Sequence, residues 1–337
     1  MTTQFVASLE TGDVADLTSS QVSWLTTKQI AALNTNDIAL GLTTAQVQAL
    51  TTAQAATLSS AQVAALSTAN IAALESADLG VLRTSAIAGL TTAQMSVLTS
   101  AQLPGLSSAQ ISALTTANLA NGLVSTAQAA ALTTRQAAAL SSAQVVALST
   151  ASLNAIGSAD VAVLKTSAIA GLSSAQVGAL STNQVAALTS AQIGALSTAN
   201  VATALTTAQV VALGSDQAAA LTSRQVAALS TASVAALETV DLAALKSNVI
   251  ASLTTGQVAS LTSAQVIGLS TAQAGALTSA QVSSLSTASV AALETADLAL
   301  LKTAGIAALS TAQVAAIGTA QIGALTTANI AGGLTTA

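Results

Sequence analysis

The chain has 337 residues, of which 52% are hydrophobic, 6% are charged and 1% are aromatic, and it contains neither histidine nor cysteine. These absences exclude thiolate and imidazole catalysis and soft-ligand metal sites, so no cofactor or metal is expected. Seven basic residues against twelve acidic ones give a net charge of −5, which excludes a nucleic-acid binder. The composition therefore predicts a structural protein and not an enzyme.

The hydrophobic content does not predict a membrane protein. The mean hydropathy is +0.71, but Ser, Thr, Gln or Asn returns every few residues. No apolar run approaches the ~18 residues of a membrane span. We therefore expect the apolar side chains to be buried within the protein or between copies of it.

An eight-residue repeat runs through the whole chain. It begins at Met1, returns with a Leu or Ile at nearly every eighth residue, and reaches Leu334. Of 41 repeats, 36 have eight residues and five have nine. The consensus is L-[ST]-[ST]-A-Q-[VI]-x-A, in which we number the Leu as position 0 and the following residues +1 to +7. Because no stretch breaks this register, the pattern predicts one continuous domain over residues 1–337.

Each repeat carries the signature of a helix N-terminus. Position +1 is nearly always Ser or Thr, and position +4 is usually Gln, Asn or Asp, as in Thr43 with Gln46. This is the capping box, in which the hydroxyl accepts from the backbone N–H of the third helical residue and that residue's side chain reaches back. The repetition predicts a cap and about one and a half helical turns per repeat.

The substitution pattern indicates which positions face inward. Positions +5 and +8 are apolar and lie three residues apart, so they share one helix face. Position +3 accepts Lys28 and Arg135 and must reach solvent. These features predict an all-α solenoid of short capped helices. A β-solenoid is the alternative, because Thr, Val and Ile favour strands and Pro104 occupies position +6, where a helix needs an N–H.

The first repeats contain both aromatic residues, Phe5 and Trp24. One interpretation is a plug that inserts into a neighbouring subunit, with Met1 at the same end. The other is a locally wider core that caps the stack. Further along, Gly-containing pairs at 121–122 and 332–333 fall in nine-residue repeats, where we expect them to absorb the extra residue in a turn.

Four segments of 24 residues match one another, at 67–90, 149–172, 230–253 and 286–309. Each contains an acid followed five residues later by a base, and one interpretation is a lateral stripe of ion pairs that fixes register between subunits. The other is a capping acid and a solvated base, worth ~0–1 kcal/mol. The four pairs are Asp78 with Arg83, Asp160 with Lys165, Asp241 with Lys246, and Asp297 with Lys302.

The C-terminal repeats predict an assembly contact. Leu325 opens the last full repeat, and the residues after Leu334 stop halfway through another. We expect an apolar stripe to be open at this end. A head-to-tail contact that does not close into a ring produces a fibre.

The repeats, such as LTTAQVQAL and LSSAQVAAL, resemble those of large, low-complexity bacterial secreted and cell-surface proteins rich in Ala, Thr, Ser and Gln. The resemblance implies a surface filament, adhesin stalk or sheath, and no catalytic residue. We expect an extracellular structural protein whose partner is itself, assembled head to tail and laterally into a filament or surface layer. The alternatives are a monomeric adhesin stalk and a repeat scaffold that binds a ligand in a groove.

Overall fold

The computed structural model describes residues 2–123 and 125–334. The chain divides into two compact units, Met1–Leu172 and Ser173–Ala337, here called the N-terminal and C-terminal units. The boundary falls at a corner, between Leu172 at position 0 and Ser173 at position +1. That the chain forms one continuous domain stays a prediction.

Within the described residues each repeat forms one short helix, and no strand occurs. The prediction of an all-α solenoid of short capped helices is therefore confirmed, and the β-solenoid alternative is wrong. The α-helices of the N-terminal unit are Thr3–Ala7, Thr11–Asp16, Ser19–Trp24, Thr27–Ala32, Thr44–Gln48, Thr52–Ala55, Ser60–Ala65, Thr68–Ala73, Ser76–Val81, Thr84–Ala88, Thr92–Ser96, Ser108–Ala113, Thr126–Ala130, Thr134–Ala139, Ser142–Ala147, Thr150–Ala155, Ser158–Ala162 and Thr166–Ala170.

The N-terminal unit also contains two π-helices, Asp37–Gly41 and Asn118–Gly122, and one 3₁₀-helix, Leu103–Gly105. The α-helices of the C-terminal unit are Ser174–Ala179, Thr182–Ala187, Ser190–Ala195, Thr198–Thr203, Thr207–Val211, Ser215–Ala218, Ser223–Ala228, Thr231–Ala236, Thr239–Ala244, Ser247–Ile250, Thr255–Ala259, Ser263–Ile267, Thr271–Ala276, Ser279–Ser284, Thr287–Ala292, Thr295–Leu300, Thr303–Ala307, Thr311–Ala315, Thr319–Ala324 and Thr327–Gly333.

Two extended residues connect many of the helices to the next, as between Ser60–Ala65 and Thr68–Ala73. Before the helix Ser60–Ala65, Ser59 adopts φ −75° and ψ 162°, and its hydroxyl accepts from the Gln62 N–H at 3.2 Å. After the helix, Leu66 adopts φ −58° and ψ 138°. No described residue, glycine included, has a positive φ. Each corner of the solenoid therefore consists of the Leu at position 0 and the cap at position +1.

Each turn of the solenoid contains three repeats, because every helix packs against the helix three repeats away. In the N-terminal unit Ser60–Ala65 contacts Thr84–Ala88, and in the C-terminal unit Ser279–Ser284 contacts Thr303–Ala307. Positions 0 and +5 form the core, as Leu66 and Val63 illustrate with almost no exposed surface. Each matched 24-residue segment is thus one complete turn.

Four of the five nine-residue repeats extend the helical part of the repeat and leave the corner unchanged. In the π-helix Asp37–Gly41, the Leu42 N–H donates to the carbonyl of Asp37, five residues back, at 3.1 Å. Residues 121–122 lie in the second π-helix, and 332–333 lie inside Thr327–Gly333. The expectation that these pairs form turns is therefore wrong. The repeat 123–132 is the exception, because its cap, Ser125, follows Leu123 by two residues and its helix, Thr126–Ala130, has only five residues.

Small residues allow adjacent turns to touch through their backbones. A Cβ on Gly105 would lie 2.6 Å from the carbonyl oxygen of Ser76, and a Cβ on Gly80 would lie 2.7 Å from that of Gly105. Pro104 is accommodated at this place because the repeat forms a short 3₁₀-helix. Steric fit between turns, and not backbone conformation, therefore explains these glycines.

The substitution Gly105→Ala should destabilise the protein by about 1–3 kcal/mol, because the new methyl group overlaps a backbone atom that cannot move freely. Gly12 is the matched control, since a Cβ there meets nothing within 4 Å. Gly12→Ala should raise stability by up to about 1 kcal/mol through helix propensity. Urea unfolding followed by circular dichroism measures both. Equal midpoints for the two variants would contradict the packing argument.

Candidate assembly surfaces

The Gln side chain at position +4 joins each turn to the one before it. The carbonyl oxygen of the Gln102 side chain accepts from the Thr99 backbone N–H at 2.8 Å, which completes the capping box. Its Nε2 donates to the carbonyls of Ile71 at 3.0 Å and Leu74 at 2.7 Å, at the end of a helix in the preceding turn. One buried side chain thus satisfies a helix N-terminus and a helix C-terminus.

This cross-turn bond recurs in both units, and we call the set of such bonds the amide ladder. Its Gln members in the N-terminal unit include Gln46, Gln54, Gln62, Gln94, Gln102, Gln110, Gln128, Gln136 and Gln144. Those in the C-terminal unit include Gln209, Gln217, Gln225, Gln257, Gln265, Gln273, Gln281, Gln313 and Gln321.

Sequence analysis predicted the capping box but missed the second bond. The residue type at position +4 indicated this second bond. Glu completes a capping box as well as Gln does, yet position +4 holds Gln in most repeats and Glu in none. Only an uncharged side chain with an N–H donor serves both roles at a buried position.

The first described turn exposes positions 0 and +4. Phe5 is 51% exposed, Gln21 is exposed, and Leu17 is half-buried. The +5 residues of the same turn, such as Val14, have no exposed surface because the next turn covers them. This end therefore presents the side of a turn that, elsewhere in the unit, packs on the preceding turn.

The last described turn instead exposes side chains at position +5. Ile322 and Ile330, both at position +5, are 38% and 48% exposed, whereas Ile306 in the turn before is fully buried. Leu325 is only 7% exposed and Leu334 is half-buried. The expectation that Leu325 is open at this end is therefore wrong. In the interior of the unit, each turn covers the position +5 side chains of the turn before it more than it covers the position 0 side chains.

The structure describes two of the three assembly residues predicted at the N-terminal end. Trp24 is 77% exposed and Phe5 is 51% exposed, so the interpretation as a locally wider core is wrong. Insertion into a neighbouring subunit stays a prediction. Met1 lies outside the described residues.

The structure separates the predicted acid–base pairs of the matched turns. The bases are exposed: Arg83, Lys165, Lys246 and Lys302. The acids are not: Asp78, Asp241 and Asp297 are each 2% exposed, and Asp160 is half-buried. A surface stripe that uses the three buried carboxylates is therefore wrong. A role for the exposed bases in assembly stays a prediction.

An exposed acid at a different position accompanies the exposed base. In the first matched turn Glu75 and Arg83 occupy consecutive corners, and Val81 between them is 39% exposed. The equivalent acids in the third and fourth turns, Glu238 and Glu294, are also exposed. We call Glu75, Val81 and Arg83, with their equivalents in those turns, the corner patches. Each presents both charges to solvent, and the first and fourth also expose a large apolar side chain, Val81 or Leu300, where the third has the half-buried Ala244.

Burial raises the pKa of two aspartates in the matched turns. For Asp78 burial is the largest cause, the hydroxyl of Thr52 acts in the opposite direction by hydrogen bonding, and the charge of Glu75 adds to the rise. For Asp297 burial is again the largest cause of the raised pKa, followed by the charge of Glu294. The Oδ2 atoms of both residues are buried without a hydrogen-bond partner.

Other kinds of site find no support in the part of the chain that the structure describes. Residues 2–123 and 125–334 contain no group of three or more acidic, His or Cys side chains able to hold a metal ion. Over the same residues no helix has the length and apolar character needed to cross a membrane.

Comparison with protein families identifies one match, to the ALTTAQ repeat, over residues 6–40, 71–107, 153–190, 178–203, 203–231, 234–271 and 290–327. These segments cover more than half of the chain in both units. A comparison with curated proteins finds no match.

The substitution Gln273→Glu tests the amide ladder. It retains the oxygen that accepts from the Ser270 N–H but replaces the donor to the carbonyls of Leu242 and Leu245 with a second oxygen. We expect a loss of about 3 kcal/mol, since a buried carboxylate then faces acceptors. Thermal or urea unfolding measures the change.

Gln21→Glu is the matched control for this prediction. Gln21 accepts from the Thr18 N–H at 2.7 Å in the same way, but it lies exposed in the first described turn. The change there should stay within about 0.5 kcal/mol. If both substitutions cost the same, the cross-turn bond does not stabilise the fold.

Proposed function

This chain belongs to the ALTTAQ repeat family, and we propose that it is an extracellular structural protein that self-assembles end to end into a filament or surface layer. The proposal assigns it to the secreted and cell-surface proteins of bacteria. It assigns no catalytic activity, cofactor or nucleic-acid partner. Its building block is the turn of three capped helices.

The single observation that carries the proposal is the complementarity of the two end faces. The last described turn exposes Ile322 and Ile330. The first described turn exposes Phe5 and leaves Leu17 half-buried. Within each unit, these same two rows pack against each other wherever one turn lies on the next. A second copy thus supplies the surface that an exposed row lacks, and the contact is heterologous and open.

The polar groups at the two ends support the same register. In the C-terminal unit the Gln at position +4 bonds to the carbonyls of the +5 residue and of the Leu three residues later, as Gln321 does with Val290 and Leu293. In an end-to-end contact that continues this register, Gln21 of one copy donates to the carbonyls of Ile322 and Leu325 of another. The contact therefore adds hydrogen bonds that orient the copies.

The flanks of the solenoid support lateral association. Only 6% of residues are charged, so repulsion between copies is weak. The corner patches place an acid and a base on consecutive corners, and the first and fourth have an exposed apolar side chain, Val81 or Leu300, between them. Such patches allow opposite charges of two copies to meet around a small apolar centre.

The monomeric stalk and the ligand scaffold are the competing functions, and no described feature favours either over assembly. The clefts between stacked corners are shallow and are lined mainly by caps and small residues, as at Leu188–Ser190 against Gly214–Gln217. Because similar clefts recur at other corners, none is distinguished as a binding site. Electron microscopy separates the functions: long fibres indicate assembly, and particles of fixed length indicate a stalk.

The substitution Ile330→Asp should prevent end-to-end assembly, because it places a charge in the apolar row of the exposed end face. Light scattering against protein concentration, with negative-stain microscopy, measures the effect. We expect fibres or concentration-dependent growth for the unmodified chain and a loss of at least about tenfold in assembled mass for the variant, equivalent to 1.4 kcal/mol or more.

Ile267→Asp is the matched control. Ile267 is 47% exposed, nearly the same as Ile330 at 48%, but it lies on the flank of an internal turn. This variant should still form fibres. If both variants assemble as the unmodified chain does, or if the unmodified chain remains monomeric at all concentrations, the end-face proposal is wrong.

A further inference from the structure

All four matched turns lack Gln at position +4 in each of their three repeats, and two of them, 67–90 and 286–309, contain an aspartate with a buried, unpartnered oxygen. In the turn 67–90, position +4 is occupied by Asn70, Asp78 and Ala86, and none of these is Gln. The turn before it, 43–66, has Gln at all three corners. Asn70 still donates to the Leu42 carbonyl at 2.9 Å, but Ala86 has no donor.

The turn 286–309 shows the same interruption in the C-terminal unit. Its +4 residues are Ser289, Asp297 and Gly305, whereas the turn 262–285 has Gln at each corner. Ser289 reaches the Leu261 carbonyl only at 3.5 Å, the limit of a hydrogen bond. In each unit, therefore, fewer side-chain bonds reach the preceding turn from this turn than from the Gln-containing turn before it.

Asparagine shows where the aspartate side chain lies. Asn70 and Asn118 each donate to the carbonyl of the Leu 28 residues earlier, at 2.9 and 2.8 Å. Asp has the same size and shape as Asn. In this register Asp78 faces the carbonyl of Leu50, and an oxygen occupies the place of the donating nitrogen. Two acceptors cannot form a hydrogen bond without a proton between them.

The same register applies to Asp297, which faces the carbonyl of Leu269. Both aspartates are 2% exposed, and the Oδ2 atom of each has no hydrogen-bond partner. A buried, unsatisfied carboxylate oxygen is costly unless a proton or a cation compensates it.

No cation faces either carboxyl group from the elements packed against it. The helix Ser76–Val81 packs against Thr52–Ala55 and Leu103–Gly105, neither of which contains a charged residue. The nearby charge on Asp78 is Glu75, which opposes ionisation, while the hydroxyl of Thr52 donates to the carboxylate.

The surroundings of Asp297 are similar. Its helix, Thr295–Leu300, packs against Thr271–Ala276 and Thr319–Ala324, which are also uncharged. The nearby charge is Glu294, and Lys302 is exposed at the next corner. Among the elements packed against the two helices, nothing but a proton is therefore available to compensate the unpartnered Oδ2 of each aspartate.

We propose that Asp78 and Asp297 complete the amide ladder only when their carboxyl groups are protonated. The neutral carboxyl group donates its proton to the carbonyl of Leu50 or Leu269 and restores the missing cross-turn bond. Ionisation removes this bond and leaves an oxygen facing an oxygen. The solenoid is then held together less tightly at these two turns than at the Gln-containing turns beside them.

The direction of the pH effect follows from the raised pKa of both groups. Because burial lifts the folded-state pKa above the ordinary value of 3.8, the folded state binds more protons than the unfolded state between these two values. The stabilisation is complete below 3.8 and is lost as the pH rises through the folded-state pKa. A helix N-terminus favours the ionised form, but these helices have six residues, and burial is the larger cause.

Hydrogen–deuterium exchange of the full chain tests the proposal, with rates corrected for the intrinsic effect of pH. In the unmodified chain, amide protection in 67–90 and 286–309 should be about fivefold higher at a pH below 3.8 than at about pH 7, as expected for one net hydrogen bond. Protection in the turn 43–66, where all three corners hold Gln, should change less.

The variant Asp78→Asn supplies a permanent donor in a side chain of the same shape. In this variant, amide protection in 67–90 should be as high at neutral pH as it is at acid pH in the unmodified chain. Protection in 286–309 should not change. Asp297→Asn should do the reverse. Asp216→Asn is the control, since Asp216 is exposed at position +3, and it should retain the pH dependence of the unmodified chain in both turns.

The proposal is overturned if Asp78→Asn lowers protection at neutral pH, which would mean that the ionised carboxylate stabilises the helix N-terminus. It is equally overturned if the pH dependence of 67–90 persists in that variant. Exchange in these segments can be measured on monomers or fibres, so failure to assemble would not affect the test.

Discussion

The hydrogen bonds of the side chain at position +4 are the constraint on which the rest of the structure depends. A helix of six residues is not stable alone, because nucleation is costly and nearly all its terminal N–H and C=O groups lack partners. The capping box satisfies N–H groups within one repeat, and the Nε2 of the same Gln satisfies carbonyls of the preceding turn. Because the donor and its acceptors lie about one turn apart, this bond also fixes the register at three repeats per turn.

Much of the fold could be predicted from the sequence because the relevant forces act within one repeat. The cap at Ser59, the inward Leu66 and the exposed Lys28 each follow from the octapeptide alone. The number of repeats per turn could not be predicted, because no single repeat specifies which other repeat it meets. The matched segments are 24 residues long, which is three repeats. A duplication explains that length as readily as a turn of three repeats does.

The candidate assembly residues were harder to predict, because burial depends on which turn covers a side chain. Leu325 and Ile330 are both apolar and five residues apart, yet only Ile330 is largely exposed at the last described turn. The acids show the same limit. A capping box suits exposed and buried carboxylates alike, so spacing gave no reason to distinguish Asp78 from Glu75, although only Glu75 reaches solvent.

The contact proposed between copies is the same one that joins turns within each unit, and this links assembly to the breaks in the ladder. In a solenoid, stability is approximately a sum of terms for each repeat and each interface between neighbours. A turn that lacks Gln at position +4 in all three repeats is therefore where we expect the stack to separate first, and separation would expose the same positions as the two end faces.

At low pH the protonated carboxyl group of Asp78 or Asp297 restores the missing cross-turn bond. The proposed end contact uses the amide of Gln21, which does not titrate. A change of pH therefore alters the continuity of the solenoid within a copy without altering the hydrogen bonds that Gln21 donates between copies.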